Sequence, residues 1–212
     1  MWPFSKLKNQ RRWAKPPVVA TTSKTEIPNK STYQINETIL SAEKVLEVYE
    51  DSQGLLTPDI ERALESPQER QRLYKLLLGR PVTLYSTLIR QAFAKEIGYR
   101  DALWHGTVED DGDCYEGIYR CAFLIYRIGS LDDIHVLWSA KYMNMDVGSS
   151  MGAEFFIGAG LKATRSYLEE SNLPESNEIL DYIADWFSHN DAEKWHVNWE
   201  ADMVSNIARA GD

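Results

Sequence analysis

Apolar side chains recur at intervals of three and four residues along almost the whole chain from Asn36 onward. This spacing places them on one side of an α-helix, whereas a half-buried strand would alternate apolar and polar residues. No segment shows a sustained alternation bounded by hairpin residues. The pattern predicts about eight helices with little β-structure, and the short connections between them favour antiparallel neighbours. We therefore predict an all-α fold of stacked antiparallel helix pairs.

Two prolines indicate where helices begin. Thr57 precedes Pro58 and Ser66 precedes Pro67, so that a hydroxyl residue can cap each helix while proline occupies the first helical position. Proline is tolerated there because the N–H that it lacks would have no partner within the helix. Gly98, at the end of the next long apolar pattern, is predicted to terminate a helix.

The charge is unevenly distributed along the chain. The first 30 positions contain seven of the 23 basic residues and one of the 32 acidic residues. The remaining 16 basic and 31 acidic residues give the rest of the chain a net charge of −15. The prolines of the first segment and its lack of apolar periodicity predict a flexible basic N-terminal arm over residues 1–32. A single acidic helical domain is predicted over residues 33–212.

The acidic domain restricts the classes of partner. Its negative charge would repel nucleic-acid phosphates, so a basic protein is the favoured partner and nucleic acid is disfavoured. The arm could contact an anionic membrane surface through residues 1–30, where Trp2, Phe4 and Trp13 lie among lysines and arginines. The alternative for this arm is a solvated tail whose aromatic side chains pack on the acidic domain.

The cysteine content and the hydropathy pattern favour a cytoplasmic protein. Cys114 and Cys121 are too few for a disulfide framework, and on a predicted helix they are too far apart to bond to each other. We expect two buried thiols in a reducing compartment. No apolar run approaches the roughly 20 residues of a membrane helix. The N-terminus also lacks the apolar region of a secretory signal.

Three segments of the domain are similar to one another. CAFLIYRIGSLDDIHVLWSAK contains a helix pattern, a Gly-Ser turn, an acidic start and a second helix pattern. YKLLLGRPVTLYSTLIRQAF and RSYLEESNLPESNEILDYIADW are weaker copies, at spacings near the ~40–47-residue period of HEAT repeats. This arrangement resembles the HEAT-type family, and LWSAKYMNMD with FIGAG resembles bacterial proteins of unknown function with helical-repeat bodies. The resemblance implies stacked helix pairs, in a HEAT-like or irregular array, and brings no activity or site residues.

The stretch GSSMG, residues 148–152, has the form G-x-S-x-G, with Ser150 at the position of a hydrolase nucleophile. A nucleophile elbow needs a strand before the serine, and the segment before Ser150 has a helical pattern. We therefore expect a small-residue connector between helices. A small serine hydrolase with Ser150 as nucleophile is the alternative. Its acid and base would come from residues in the chain order of a triad: Asp185 or Asp181, then His189 or His196.

The glycines around this stretch fit neither of the common phosphate-binding loop motifs. We expect Gly158 and Gly160 to lie inside a helix, where a missing side chain lets another helix or an aromatic side chain such as Trp138 approach. The acidic stretch EDDGD, residues 109–113, lacks the alternating ligands of an EF-hand loop and predicts a solvated loop. The four histidines show no metalloprotease spacing, so we predict no metal and no cofactor.

The last two predicted helices contain a cluster of tryptophans. Trp186, Trp195 and Trp199 lie in acidic sequence that includes Glu193. One interpretation is that these rings hold the two helices together. If the cluster is partly exposed, these residues and Trp138 form a binding surface suited to a basic partner. We therefore expect a non-enzymatic protein-binding module, either an adaptor or an immunity-type inhibitor of a cationic partner such as a nuclease.

Overall fold

The computed structural model describes residues 39–110, 112–188 and 192–210. Within these ranges the chain forms ten α-helices, four 3-10 turns and no β-strand, so the predicted all-α class is confirmed. The α-helices are α1 (Ala42–Asp51), α2 (Pro58–Ala63), α3 (Pro67–Leu77), α4 (Ser86–Trp104), α5 (Gly117–Ile128), α6 (Ile134–Lys141), α7 (Met145–Ser150), α8 (Leu161–Glu170), α9 (Ser176–Phe187) and α10 (Ala192–Ala208). The 3-10 turns are Val82–Tyr85, Gly112–Glu116, Leu131–Asp133 and Ala153–Phe156.

The predicted starts of α2 and α3 are confirmed. The Thr57 hydroxyl accepts a hydrogen bond from the backbone N–H of Ile60 at 3.4 Å, and the Ser66 hydroxyl accepts one from the backbone N–H of Glu69 at 3.3 Å. A proline occupies the first helical position in both helices. Each side chain thus pairs with a backbone donor that has no partner within its own helix.

Helix α5 occupies the centre of the core. All of its residues from 117 to 125 are buried, and it packs against α3, α4 and α10. A helix buried on every side needs neighbours all around it, which explains why most of this segment is apolar. Cys121 lies within α5 and Cys114 lies in the preceding turn; both are buried thiols, as expected.

Three charged side chains lie inside this core: Arg70 of α3, Glu96 of α4 and Arg120 of α5. Arg70 Nε donates to Glu96 Oε1 at 2.7 Å. Arg120 donates to Gln71 Oε1 at 2.8 Å and to Asn206 Oδ1 at 2.6 Å. Because Gln71 belongs to α3 and Asn206 to α10, these polar contacts connect four helices.

Gly117 allows this polar network to form. A Cβ at this position would lie 2.4 Å from Gln71 Nε2 and 2.5 Å from each carboxylate oxygen of Glu96. Real Cβ atoms do not approach polar atoms so closely. The start of α5 therefore lies against α3 and α4 at a distance that only glycine permits.

The prediction that Gly98 ends a helix is wrong. Helix α4 continues through Gly98 to Trp104, and Gly98 itself is exposed. Glycine in a helix interior costs only about 1 kcal/mol relative to alanine. The packing of Phe93 in the core and the ion pair of Arg100 with Asp146 hold the helix on either side of Gly98.

The prediction that Gly158 and Gly160 lie inside a helix is also wrong. Both belong to the connection between the turn Ala153–Phe156 and α8. Gly160 has a φ of +93°, which is incompatible with an α-helix and favours glycine. The expected close approach of another helix is found at Gly158, where a Cβ would lie 2.0 Å from the carbonyl oxygen of Tyr126 in α5. The approaching group is therefore helix backbone and not the Trp138 ring.

The predicted arm over residues 1–32, the start of the acidic domain at residue 33 and Asn36 all lie outside the described residues. Among the described helices, none combines the length and the apolar character needed to cross a membrane.

Candidate functional site

A small open cavity lies where three separate parts of the chain meet: the end of α7 with the turn Ala153–Phe156, helix α9, and helix α10. Its volume is about 120 Å³. Four aromatic side chains line it, with one carboxylate and two serine side chains beside them. The residues that matter most are Ser150, Glu154, Tyr182, Trp186, Trp195 and Trp199.

Glu154 is the buried acidic group of the cavity. Its side chain belongs to the turn Ala153–Phe156, the residue is only 2% exposed, and its Oε1 accepts a hydrogen bond from the indole Nε1 of Trp195. Gly152 makes room for it, because a Cβ there would lie 2.1 Å from Glu154 Oε2. Gly152, the second glycine of the GSSMG stretch, thus leaves space for the carboxylate of Glu154.

Lys141 is a buried cation beside the same cavity. Its Nζ donates to the carbonyl oxygens of Gly148 at 2.6 Å and Met151 at 2.7 Å, which fixes the backbone that leads to Glu154. The ammonium also lies 4.7 Å from the centroid of the Tyr182 ring. Burial lowers the pKa of Lys141, and the negative charge of Glu154 partly opposes this effect.

The aromatic wall is supported from behind by further rings. Trp138 of α6 is buried and lies 5.6 Å from the Tyr182 ring, centroid to centroid. Trp199 contacts the ring of Phe155 edge-on at 4.9 Å. Offset and edge-to-face contacts of this kind add stability beyond the area that they bury. Tyr182 and Trp199 are therefore held in place by the core.

Tyr126 of α5 attaches helix α10 to this region. Its hydroxyl contacts His196 Nε2 at 2.9 Å and donates to the carboxylate of Glu200. Burial raises the pKa of Tyr126, and the hydrogen bond to Glu200 raises it further. The Tyr126 ring also meets Trp199 edge-on at 5.1 Å. These contacts place the tryptophans of α10 over the turn that carries Glu154.

The structure brings together three of the residues predicted from the sequence. Trp186, Trp195 and Trp199 line one cavity, and Trp195 is 56% exposed. Trp138 lies behind the wall and is 6% exposed, so it supports the cavity without forming its surface. The side chain of Glu193 lies outside the described part of the chain.

Sequence reasoning missed Glu154, Tyr182 and Lys141. Glu154 is one acidic residue in an otherwise apolar stretch, GAEFF, and a carboxylate in such a position often has a buried partner. That composition was the only available signal. Tyr182 and Lys141 occupy positions that a helical pattern does not distinguish from ordinary surface residues.

The geometry around Ser150 bears on the hydrolase alternative. Ser150 is exposed at the end of α7, and the residues before it form α6 and α7. It therefore does not occupy the strand-to-helix turn of a nucleophile elbow. The Tyr119 hydroxyl donates to the carbonyl oxygen of Asp146 at 3.4 Å, and His196 contacts Tyr126. Asp181 and Asp185 belong to α9, and His189 lies outside the described residues, so the triad stays an untested prediction.

A metal centre was not predicted from the sequence. In the described ranges, no three side chains among histidines, cysteines, aspartates and glutamates are grouped so that they could hold a metal ion. The acidic stretch 109–113 is described except for residue 111.

The fold and the cavity define an all-α protein with a small site that combines aromatic rings and one buried carboxylate. The chain matches no model of a protein family, no curated protein and no solved structure.

Proposed function

We propose that this protein is a non-enzymatic binding module that captures a basic protein partner through the surface around the cavity. One observation supports this most directly: the buried carboxylate of Glu154 and three tryptophan rings line the same open cavity. Tryptophan and a carboxylate are the groups that attract a lysine or arginine side chain, through cation–π and charge interactions.

The exposed indole of Trp195 gives this surface a central contact. Tryptophan is enriched among the few residues that supply most of the binding free energy of protein interfaces. An indole that is 56% exposed also leaves apolar surface in water, which a partner would cover. Because its Nε1 already pairs with Glu154, the ring is preorganised for contact.

Long-range charge supports the same class of partner. Residues 31–212 carry 31 acidic and 16 basic side chains, so a basic protein would be steered toward this domain, whereas an acidic one would be repelled. A bacterial cytoplasmic adaptor fits this chemistry. An immunity-type inhibitor that neutralises a cationic partner such as a nuclease fits it equally.

The test compares proteins captured from native lysate by the immobilised full chain and by its variants. Trp195→Ser and Glu154→Gln change the cavity. Trp104→Ser is the matched control, since Trp104 is 53% exposed and lines a different cavity. We expect the wild type and the control to retain the same partner at low salt, both cavity variants to lose it, and high salt to weaken its retention.

The captured protein is then purified and its affinity for each variant is measured by calorimetry. Loss of a central tryptophan contact should weaken binding by about 2 kcal/mol or more, roughly thirtyfold. Retention of no protein by the wild type would contradict the proposal. Equal affinity of the Trp195→Ser and Trp104→Ser variants for this partner would also contradict the proposal.

A further inference from the structure

The size of the cavity restricts what it can hold. Its volume of about 120 Å³ is roughly four times the ~30 Å³ that a water molecule occupies in the liquid. Drug-sized ligands and cofactors occupy cavities of about 300–1,000 Å³. The cavity is therefore smaller than those sites and suits a single small head group.

The wall of the cavity favours a cationic head group. Four aromatic rings and one carboxylate line it: Tyr182, Trp186, Trp195, Trp199 and Glu154. A cation within about 6 Å of a ring centroid is attracted by the negative potential of the ring face, most strongly for tryptophan. Lys141 Nζ lies 4.7 Å from the centroid of Tyr182, so this ring already contacts a cation and the three tryptophan rings are the ones available to a ligand.

Several hydrogen-bond acceptors beside the cavity are already engaged. Lys141 donates to the carbonyl oxygens of Gly148 and Met151, and the Tyr182 hydroxyl also donates to Met151 at 3.3 Å. Oε1 of the cavity carboxylate accepts from an indole N–H. A primary ammonium has three N–H donors and needs an acceptor for each of them when it leaves water, whereas the ring faces of the wall offer none. A fully methylated nitrogen carries the charge without any donor.

We propose that the cavity binds a quaternary ammonium group. This inference rests on the proposed function where the group belongs to a trimethylated lysine of the basic partner. A small free ligand such as choline carries the same group. Binding of the group itself is a property of the cavity and can be measured without any partner.

The first experiment is a titration of the ¹⁵N-labelled full chain with tetramethylammonium chloride at constant ionic strength, followed by NMR. The indole N–H of Trp195 is the reporter, because it donates to the cavity carboxylate. We expect its signal, and those of Trp186 and Trp199, to shift in a saturable way. The indole signal of Trp104, in a different cavity, should not move. Absence of any saturable shift would overturn the inference.

Two further ligands test the role of the charge and of the methyl groups. The carbon isostere of choline, in which a tert-butyl group replaces the trimethylammonium group, has the same shape and no charge. We expect it to bind at least about tenfold more weakly than choline, as expected for loss of a desolvated cation–π interaction. Methylammonium, which keeps three N–H donors, should also bind more weakly than tetramethylammonium. Equal binding of the uncharged isostere would show that the cavity is merely apolar and would overturn the inference.

Variants assign the binding to the cavity. Glu154→Gln and Trp186→Leu should each weaken tetramethylammonium binding several-fold, and Trp104→Leu should leave it unchanged. The melting temperature and the dispersion of the NMR spectrum check that each variant folds. If a cavity variant unfolds, the wild-type titration with the isostere pair still decides the question.

Peptides distinguish the two sources of the group. A basic peptide with one trimethyllysine is compared with the unmodified peptide and with choline. Tighter binding of the trimethylated peptide than of choline assigns the group to a protein partner, and the reverse order assigns it to a small ligand; both support the inference. A partner captured by a chain that does not bind tetramethylammonium refutes this inference alone. Tetramethylammonium binding with no partner refutes the proposed function alone.

Discussion

Arg70, Glu96 and Arg120 carry charges inside the core, and none of them is more than 2% exposed. Burial of a charge is costly unless the charge is paired and hydrogen-bonded. Arg70 and Glu96 pair directly, and Arg120 is held by the amide oxygens of Gln71 and Asn206. These residues therefore fix how four helices meet, which an apolar contact alone would specify less well.

Two glycines in helices provide a matched prediction at the residue scale. Gly117→Ala should lower the free energy of unfolding by about 1–3 kcal/mol, because the added methyl group overlaps Gln71 and Glu96. Gly98→Ala should raise it by up to about 1 kcal/mol, because nothing lies within 4 Å and alanine favours the helix. Urea unfolding followed by circular dichroism measures both. A stabilising Gly117→Ala would refute the assigned role of Gly117.

Lys141 predicts a pH dependence of stability. Burial lowers the pKa of its ammonium in the folded state, whereas in the unfolded chain it titrates near 10.5. Between these two pKa values the unfolded state binds more protons, so stability should rise with pH. The free energy of unfolding of the wild type, relative to that of Lys141→Met, should therefore increase as the pH is raised toward 10.5. Chemical unfolding of both proteins at matched pH values measures the difference, and a constant or falling difference would contradict the prediction.

At the scale of elements, local signals predicted helix starts better than helix ends. The cap and proline pairs at α2 and α3 involve residues within one turn of each other, so the sequence contains the whole interaction. The helix predictions for Gly98 and Gly158 were wrong because the conformation at each glycine depends on residues that are distant in sequence. Gly98 continues a helix that is held by its packing, and Gly158 lies in a connection against the backbone of α5.

The helices around Ser150 predict that this serine does not react with a probe for serine hydrolases. A serine at the end of α7, without the strand of a nucleophile elbow before it, is not expected to be activated. A fluorophosphonate probe should therefore leave the folded protein unlabelled at concentrations that label a known serine hydrolase. Mass spectrometry after the reaction provides the measurement. Labelling that disappears in Ser150→Ala would instead support the hydrolase alternative.

At the scale of the whole molecule, the cavity exists because distant segments meet. Glu154 and Trp195 are 41 positions apart and are joined by one hydrogen bond. Lys141 reaches the carbonyl of Met151, and Tyr126 of α5 contacts both His196 and Glu200 of α10. The sequence showed the tryptophans as a group. Their carboxylate partner could not be chosen among 32 acidic residues without the packing of α9 and α10.

The charge contrast between residues 1–30 and the rest of the chain leads to a prediction for the whole molecule. If the arm binds an anionic surface, the full chain should co-sediment with vesicles that contain phosphatidylserine at low salt. Replacing Lys6, Lys8, Arg11 and Arg12 by glutamine should abolish this, since each basic residue near such a surface contributes about 1 kcal/mol. Vesicles of phosphatidylcholine are the control. Equal sedimentation of the wild type with both vesicle types would refute the electrostatic mechanism.

The sequence by itself determined the helical class, the cap and proline starts, the apolar character of α5 and the grouping of Trp186, Trp195 and Trp199. These features depend on hydrogen bonds and periodicity within a few turns of chain, which are local properties. Only the tertiary structure decided that Glu154 faces those tryptophans, that Lys141 holds the backbone beside it, and that charges lie in the core. Such pairings depend on how the helices pack. A helical pattern in the sequence indicates which face of a helix is apolar, but it does not indicate which neighbouring helix covers that face.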